Sequence, residues 1–205
     1  MSSGPLVPIS ALAGAAVPGR FGRPDGAPGV VIAERVGLGL ATLAARKGQA
    51  GALVAAVQDA YGVDLPESSV VAQGPAVSFI GQGPGQWLAI SETLPNDALG
   101  CDLSARLQGL ASISDQSNGR TVLRLSGACA RDVLAKGLPI DLHPRVFVVG
   151  SAATSVIGHM GVQLWQVDDL PTYDIAAFRS VSLSFWRWLT ASAAEFGYEV
   201  AAGRN

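Results

Sequence analysis

The sequence predicts an α+β fold, with mostly antiparallel split sheets and helices packed on them. Three observations carry that prediction. Short apolar runs come in pairs around glycine-rich or Asn-Gly turns, the pattern of hairpins. Segments with helical spacing lie between the pairs, which puts helices against the sheets. Hydrophobic residues are 49% of the chain, enough for a core and too many for a disordered polypeptide.

Residues 1–29 form a Gly-, Pro- and Ala-rich arm with Pro18-Gly19, Pro24-Asp25-Gly26 and Pro28-Gly29, dipeptides that mark turns. Such an arm builds no core alone and is either flexible or laid across a partner. Residues 30–35 read as the first strand and 38–45 as its extended continuation. Over 48–61, Leu53, Ala56, Val57 and Ala60 share one helical face, and Gly62 stands where a helix C-terminal glycine belongs. Residues 76–80 and 86–91 read as a hairpin around Gly81-Gln82-Gly83-Pro84-Gly85. Asn96 or Asp97 can cap a helix running to about 110.

The second half follows the same style. Residues 111–115 and 121–125 read as strands joined by an Asn118-Gly119 hairpin turn. Residues 128–136 form a helix closed by Gly137. Residues 152–157, 162–167 and 173–178 are strands, and 180–196 is a helix ended by Gly197. With 205 residues, and domains of about 150 as the yardstick, one domain over 30–205 follows, divisible into lobes 30–110 and 111–200.

Charged residues are only 15% of the chain, and mean hydropathy is +0.34. Soluble proteins usually carry about 25%. The deficit is met by Ala and Gly and by a surface that another protein covers. A net charge of −2 argues against nucleic acid as a partner. Only Lys47 and Lys136 are lysines, so arginine, the cation better suited to interfaces, supplies the rest. Cys101 and Cys129 read as two small buried thiols. No Lys or Arg precedes Arg20, and Pro8, Gly14 and Pro18 interrupt the apolar start, which argues against a signal peptide. No stretch reaches the roughly 18 apolar residues of a membrane span. The expected location is the cytoplasm.

Few residues invite a chemical reading. Gly81-x-Gly83-x-Gly85 is followed by Trp87-Leu88-Ala89-Ile90, a strand, whereas a phosphate loop needs a helix N-terminus. Asp168-Asp169 precedes Leu170-Pro171-Thr172 and reads as a solvated turn. His143, before Pro144, reads as a local structural hydrogen bond, and His159 as part of a bend between strands. With no C-x-x-C or H-E-x-x-H spacing, no metal site is expected, and no catalytic or cofactor-binding residue is assigned. On the last helix, Val181, Phe185, Trp188, Leu189, Ser192 and Phe196 form an inward stripe. Leu183 and Trp186 lie off it. They are either packed under a neighbouring loop or, in the reading adopted here, an interface to a partner.

Five stretches together resemble a known family. They are Gly83-Pro84-Gly85-Gln86-Trp87-Leu88; Ser114-Asp115-Gln116-Ser117-Asn118-Gly119-Arg120; Gly127 through Leu134; Gly137-Leu138-Pro139-Ile140-Asp141-Leu142-His143-Pro144; and Arg179-Ser180 leading into Ser184-Phe185-Trp186-Arg187-Trp188-Leu189. In this order, over about 30–200, they resemble the gamma subunits of heterotetrameric sarcosine oxidases. The resemblance implies a non-catalytic structural subunit with alpha, beta and delta partners. It implies a complex that demethylates sarcosine to glycine, with hydrogen peroxide and either formaldehyde or, with tetrahydrofolate as co-substrate, methylene-tetrahydrofolate. FAD, FMN, NAD and zinc are then expected in the partner subunits and none in this chain. The fold implied is that of part of the folate-binding T-protein of the glycine cleavage system. The T-protein pattern has an aspartate pair before the strand that starts here near Val162, where this sequence has Gly158-His159-Met160-Gly161. The alternative reading is a folate-binding one-carbon-transfer module acting in its own right.

Overall fold

The computed structural model describes residues 9–202. Its elements in chain order are β1 (Gly19–Phe21), β2 (Val30–Arg35), β3 (Gly39–Ala45), α1 (Ala50–Tyr61), β4 (Val71–Ala72), β5 (Ser78–Gly83), β6 (Gln86–Ser91), α2 (Asp97–Arg106), β7 (Ala111–Asp115), β8 (Arg120–Ser126), α3 (Ala130–Ala135), β9 (Ala152–Ile157), β10 (Met160–Asp168), β11 (Thr172–Phe178), α4 (Ser182–Ala193) and β12 (Tyr198–Val200). The α+β class follows, as the sequence predicts. One sheet has seven strands in the order β1-β12-β2-β8-β11-β10-β9, and the other has five in the order β4-β5-β6-β3-β7. Every neighbouring pair is antiparallel except β12 with β2.

Strand alternation builds four layers. Val30, Ile32, Leu123, Leu125, Leu164 and Ile175 face α3 and α4, where Val133, Phe185 and Leu189 close the core. Leu43, Phe79, Trp87 and Ala89 face α1 and α2 through Leu53, Val57, Leu99 and Leu103. The opposite strand faces meet in a third core of Leu38, Leu40, Ile80, Leu88, Val122, Trp165 and Ala176. Central strands therefore lie between two covered faces, and β11 is buried from Thr172 to Ala177.

Local rules place most elements. Gly62 takes φ 67° at the C-terminus of α1 and donates its N–H to the Gln58 carbonyl. β5 and β6 pair as a hairpin with an irregularity between Gly81 and Gly83. Gly158 and His159 take φ 53° and 67° in the two-residue turn between β9 and β10, the positive pair that such hairpins require.

Several expectations are corrected. Asn118-Gly119 makes no hairpin, because β7 pairs with β3 in one sheet and β8 with β2 and β11 in the other. Neither residue takes positive φ, and the Gln116 carbonyl accepts the N–H groups of Gly119 and Arg120 instead. Residues 38–45 likewise do not continue the first strand: β3 lies in the opposite sheet from β2. The Ser117 hydroxyl ties the two crossings together, accepting from the Leu40 N–H at 3.0 Å and lying 2.7 Å from the Asn96 carbonyl. Asn96 precedes α2 without a side-chain capping bond.

The arm packs on its own chain. Leu12 is 1% exposed in the core, β1 pairs with β12, Phe21 stacks on Tyr198 at 5.3 Å, and the Ser10 hydroxyl donates to Glu34. Residues 1–8 of the arm lie outside the described residues. Cys101 is exposed on α2 and Cys129 half-buried, so the expected pair of buried thiols is not formed.

Candidate functional site: a charged cleft between the sheets

One row of residues crosses the seven-stranded sheet on the face toward the second sheet. Ala33 lies opposite Arg124, Arg124 opposite Asp174, Asp174 opposite Trp165 and Trp165 opposite Ala152. Asp174 is 2% exposed, so its charge needs partners. Arg124 supplies a two-pronged contact, Nε to Oδ1 at 2.7 Å and Nη2 to Oδ2 at 2.8 Å. Arg35, from β2, adds Nη1 to Oδ2 at 2.8 Å, and its Nη2 reaches Glu92 beyond the end of β6. The hydrogen bond to Asp174 holds the Arg124 guanidinium above its ordinary value, against the opposing pull of burial.

These groups line a pocket of about 310 Å³ with Trp165, Ile80, Ile90 and Gln166. Arg35, Leu38, Glu92 and Arg124 also form a wall of a wider groove of about 830 Å³. A pocket of about 100 Å³ sits at the two sheet crossings, lined by Arg120, Ser117 and Asn118. There the Arg120 guanidinium lies over the Phe178 ring at 4.7 Å, and burial lowers its pKa.

The arrangement ties β2, β8 and β11 together through charged side chains, and its buried carboxylate is not free for acid–base or nucleophilic chemistry. Both oxygens of Asp174 already accept charged hydrogen bonds. The residues lining the pocket and the groove include no His, Cys or Lys. The sequence reading missed Arg35, Arg124 and Asp174. The available signal was a single acid, Asp174, inside a buried strand that carries no other charge.

The residues singled out from sequence are not brought together. His143 Nδ1 accepts the Arg145 N–H at 3.2 Å, and the His143 N–H donates to Asp141 Oδ1 at 2.8 Å, so the ring serves its own exposed turn. His159 stands in the exposed β9–β10 turn. Asp168 Oδ1 accepts the Leu170 N–H at 2.9 Å in the β10–β11 turn. Gly81–Gly85 leads into β6 without a helix, so it does not fit a nucleotide phosphate. Among the described residues no group of three or more His, Cys, Asp or Glu is placed to hold a metal, and no helix is long and apolar enough to cross a membrane.

Trp186 does not present an interface: it is 7% exposed and packs into the core against its own sheet. Trp188, expected inward, is half-buried and stacks on Phe185 at 6.2 Å. The buried stripe of α4 runs Ser182, Phe185, Trp186, Leu189, Ser192 and Ala193. Helical spacing gives a stripe, and only the neighbours decide its exact rotation. Leu183 stays on the surface at 44% exposure.

Known proteins share this architecture. The family model for "Sarcosine oxidase, gamma subunit family" matches residues 46–195. The chain is 35% identical over 159 residues to the sarcosine oxidase subunit gamma of Corynebacterium sp. (strain P-1), covering 72% of this chain and 73% of that protein. It is 37% identical over 124 residues to the subunit gamma of an Arthrobacter sp., covering 58% of this chain and 59% of that one. A chain of the heterotetrameric sarcosine oxidase from Corynebacterium sp. U-96, solved in complex with pyrrole 2-carboxylate, superposes with TM-score 0.77 at 30% identity, covering 97% of this chain and 99% of its own. The glycine cleavage system aminomethyltransferase T from Bartonella henselae superposes with TM-score 0.60 at 14% identity, over 81% of this chain and 49% of that one, which shows a shared fold alone. From the family match and the relatives that cover most of its length, the chain belongs to the sarcosine oxidase gamma subunit family.

Proposed function

We propose that this chain is a non-catalytic structural subunit of a heterotetrameric sarcosine oxidase. The observation that carries this is the near end-to-end superposition on a chain of such a complex, 97% of this chain against 99% of that one. The cleft supports the non-catalytic role, since its one buried carboxylate is taken up by two arginines and the histidines stand apart in surface turns. The complex oxidises the N-methyl group of sarcosine, giving glycine, hydrogen peroxide and formaldehyde or methylene-tetrahydrofolate. FAD, FMN, NAD and zinc belong to the alpha, beta and delta partners in this reading. Leu183 is a surface position that such a partner can cover.

The test is co-expression of the four subunits, with sarcosine turnover as readout. Omitting this chain should abolish assembly of the active complex. His143→Ala and His159→Ala should each leave turnover within about tenfold of wild type, because losing a general acid or base typically removes about 10²–10⁴-fold. Full activity without this chain, or a histidine defect in that larger range with assembly intact, would refute the proposal. Saturable tetrahydrofolate binding by this chain would favour a one-carbon-transfer module instead.

A further inference from the structure

Four strands end the two sheets, and the edge of one differs from the others. β1 is three residues long and carries Arg20, paired with Glu199. β4 has two residues, and β7 ends in Asp115. Natural edges are guarded by such shortness and charge. β9, the terminal strand of the seven-stranded sheet, has six residues, Ala152-Ala153-Thr154-Ser155-Val156-Ile157, with no charge among them. The lack of charge extends further: residues 146–167 include no Asp, Glu, Lys or Arg.

The register shows which backbone groups are open. The two-residue turn closes on Ile157 and Met160, so Ile157, Ser155 and Ala153 exchange hydrogen bonds with β10. Ala152, Thr154 and Val156 turn their N–H and C=O groups outward. The chain itself pairs with the start of this edge. The Ala152 N–H donates to the Ser69 carbonyl at 2.9 Å, and the Val71 N–H donates to the Gly150 carbonyl at 2.8 Å. Beyond Ala152 no described segment continues that line, and Thr154 and Val156 are exposed. Exposed valines flank the edge: Val156 at 48%, Val148 at 52%, Val149 at 42% and Val70 at 38%.

We infer that another subunit of the complex adds an extended segment to β9, continuing the line begun by Ser69–Val71. Backbone N–H and C=O groups in a row are matched by an extended backbone. The absence of charge selects a segment whose flanking side chains are uncharged and small or apolar. The free length, Ala153 to Ile157, spans roughly 17 Å at about 3.3 Å per residue. It offers two donors and two acceptors, on Thr154 and Val156. The partner's membership in the oxidase rests on the function proposed above; the strand addition rests on the edge.

Hydrogen exchange in the intact four-subunit complex tests it directly. The Thr154 and Val156 amides are expected to be protected alongside Ser155 and Ile157. Val156→Pro should weaken co-purification by about tenfold or more, the cost of about one lost interface hydrogen bond, and Val156→Lys should weaken it as well by setting a charge on an uncharged edge. Both should leave the chain folded, because no described residue accepts the Val156 N–H; Ser155→Pro, which removes a bond to β10, should unfold it. Fast exchange at Thr154 and Val156 in a complex that assembles normally would overturn the strand addition while leaving the subunit role intact. Failure of the wild-type chain to co-purify with the other subunits would overturn both. Protection found in a dimer of this chain alone would assign the edge to a second copy and overturn the proposed occupant.

Discussion

Asp174→Ala is expected to lower the thermal unfolding midpoint of this chain by about 6–12 °C. Deleting one partner of a buried ion pair leaves the other charge uncompensated, at a cost of about 3–5 kcal/mol when both are buried. The Arg124 side chain is 33% exposed and that of Arg35 18%, so water can rehydrate part of what is left behind. The low end, about 3 kcal/mol, is therefore expected, and in a chain of this size each kcal/mol moves the midpoint by about 2–4 °C. Arg124→Met combined with Asp174→Leu should recover much of the loss, since apolar residues of similar volume often replace a buried pair at little cost. Arg35 keeps Glu92 in that double variant. A single variant that melts within about 2 °C of wild type would show that the cluster does not hold the cleft together.

Trp186→Ala should destabilise the subunit by about 3–5 kcal/mol, read from the urea midpoint, because it empties a large site in the core. Trp188→Ala should cost less, its ring being half-buried against Phe185, Gly137 and Gly158. Leu183→Ala, at an exposed position, should stay within about 0.5 kcal/mol. A larger loss for Trp188 than for Trp186 would overturn the packing described for α4. The order reverses the one that helical spacing alone suggests, and the reason is geometric. One residue of helix covers about 100°, so a stripe drawn through Phe185 and Leu189 can include either tryptophan. The face of the sheet beneath decides between them.

The sequence alone determined the elements whose causes are local. Alternating apolar strands, the glycine that ends α1, the β5–β6 hairpin and the turn at Gly158-His159 are each set by a few neighbouring residues and their backbone preferences. Family membership was legible too, because its motifs are short and occur in order. Tertiary structure decided what distant pairing controls. The Asn118-Gly119 dipeptide favours a hairpin, yet β7 and β8 are each claimed by better-buried partners in opposite sheets, and the turn becomes a crossing. The arm reads as either flexible or laid across a partner until Leu12 finds a core in its own chain to enter. The charged cleft exists only because Arg35, Arg124 and Asp174, far apart in sequence, are set side by side by three strands in register. Local sequence fixes which way the strand alternates. The register between strands, set by burial on both faces of the sheet, fixes which charges meet.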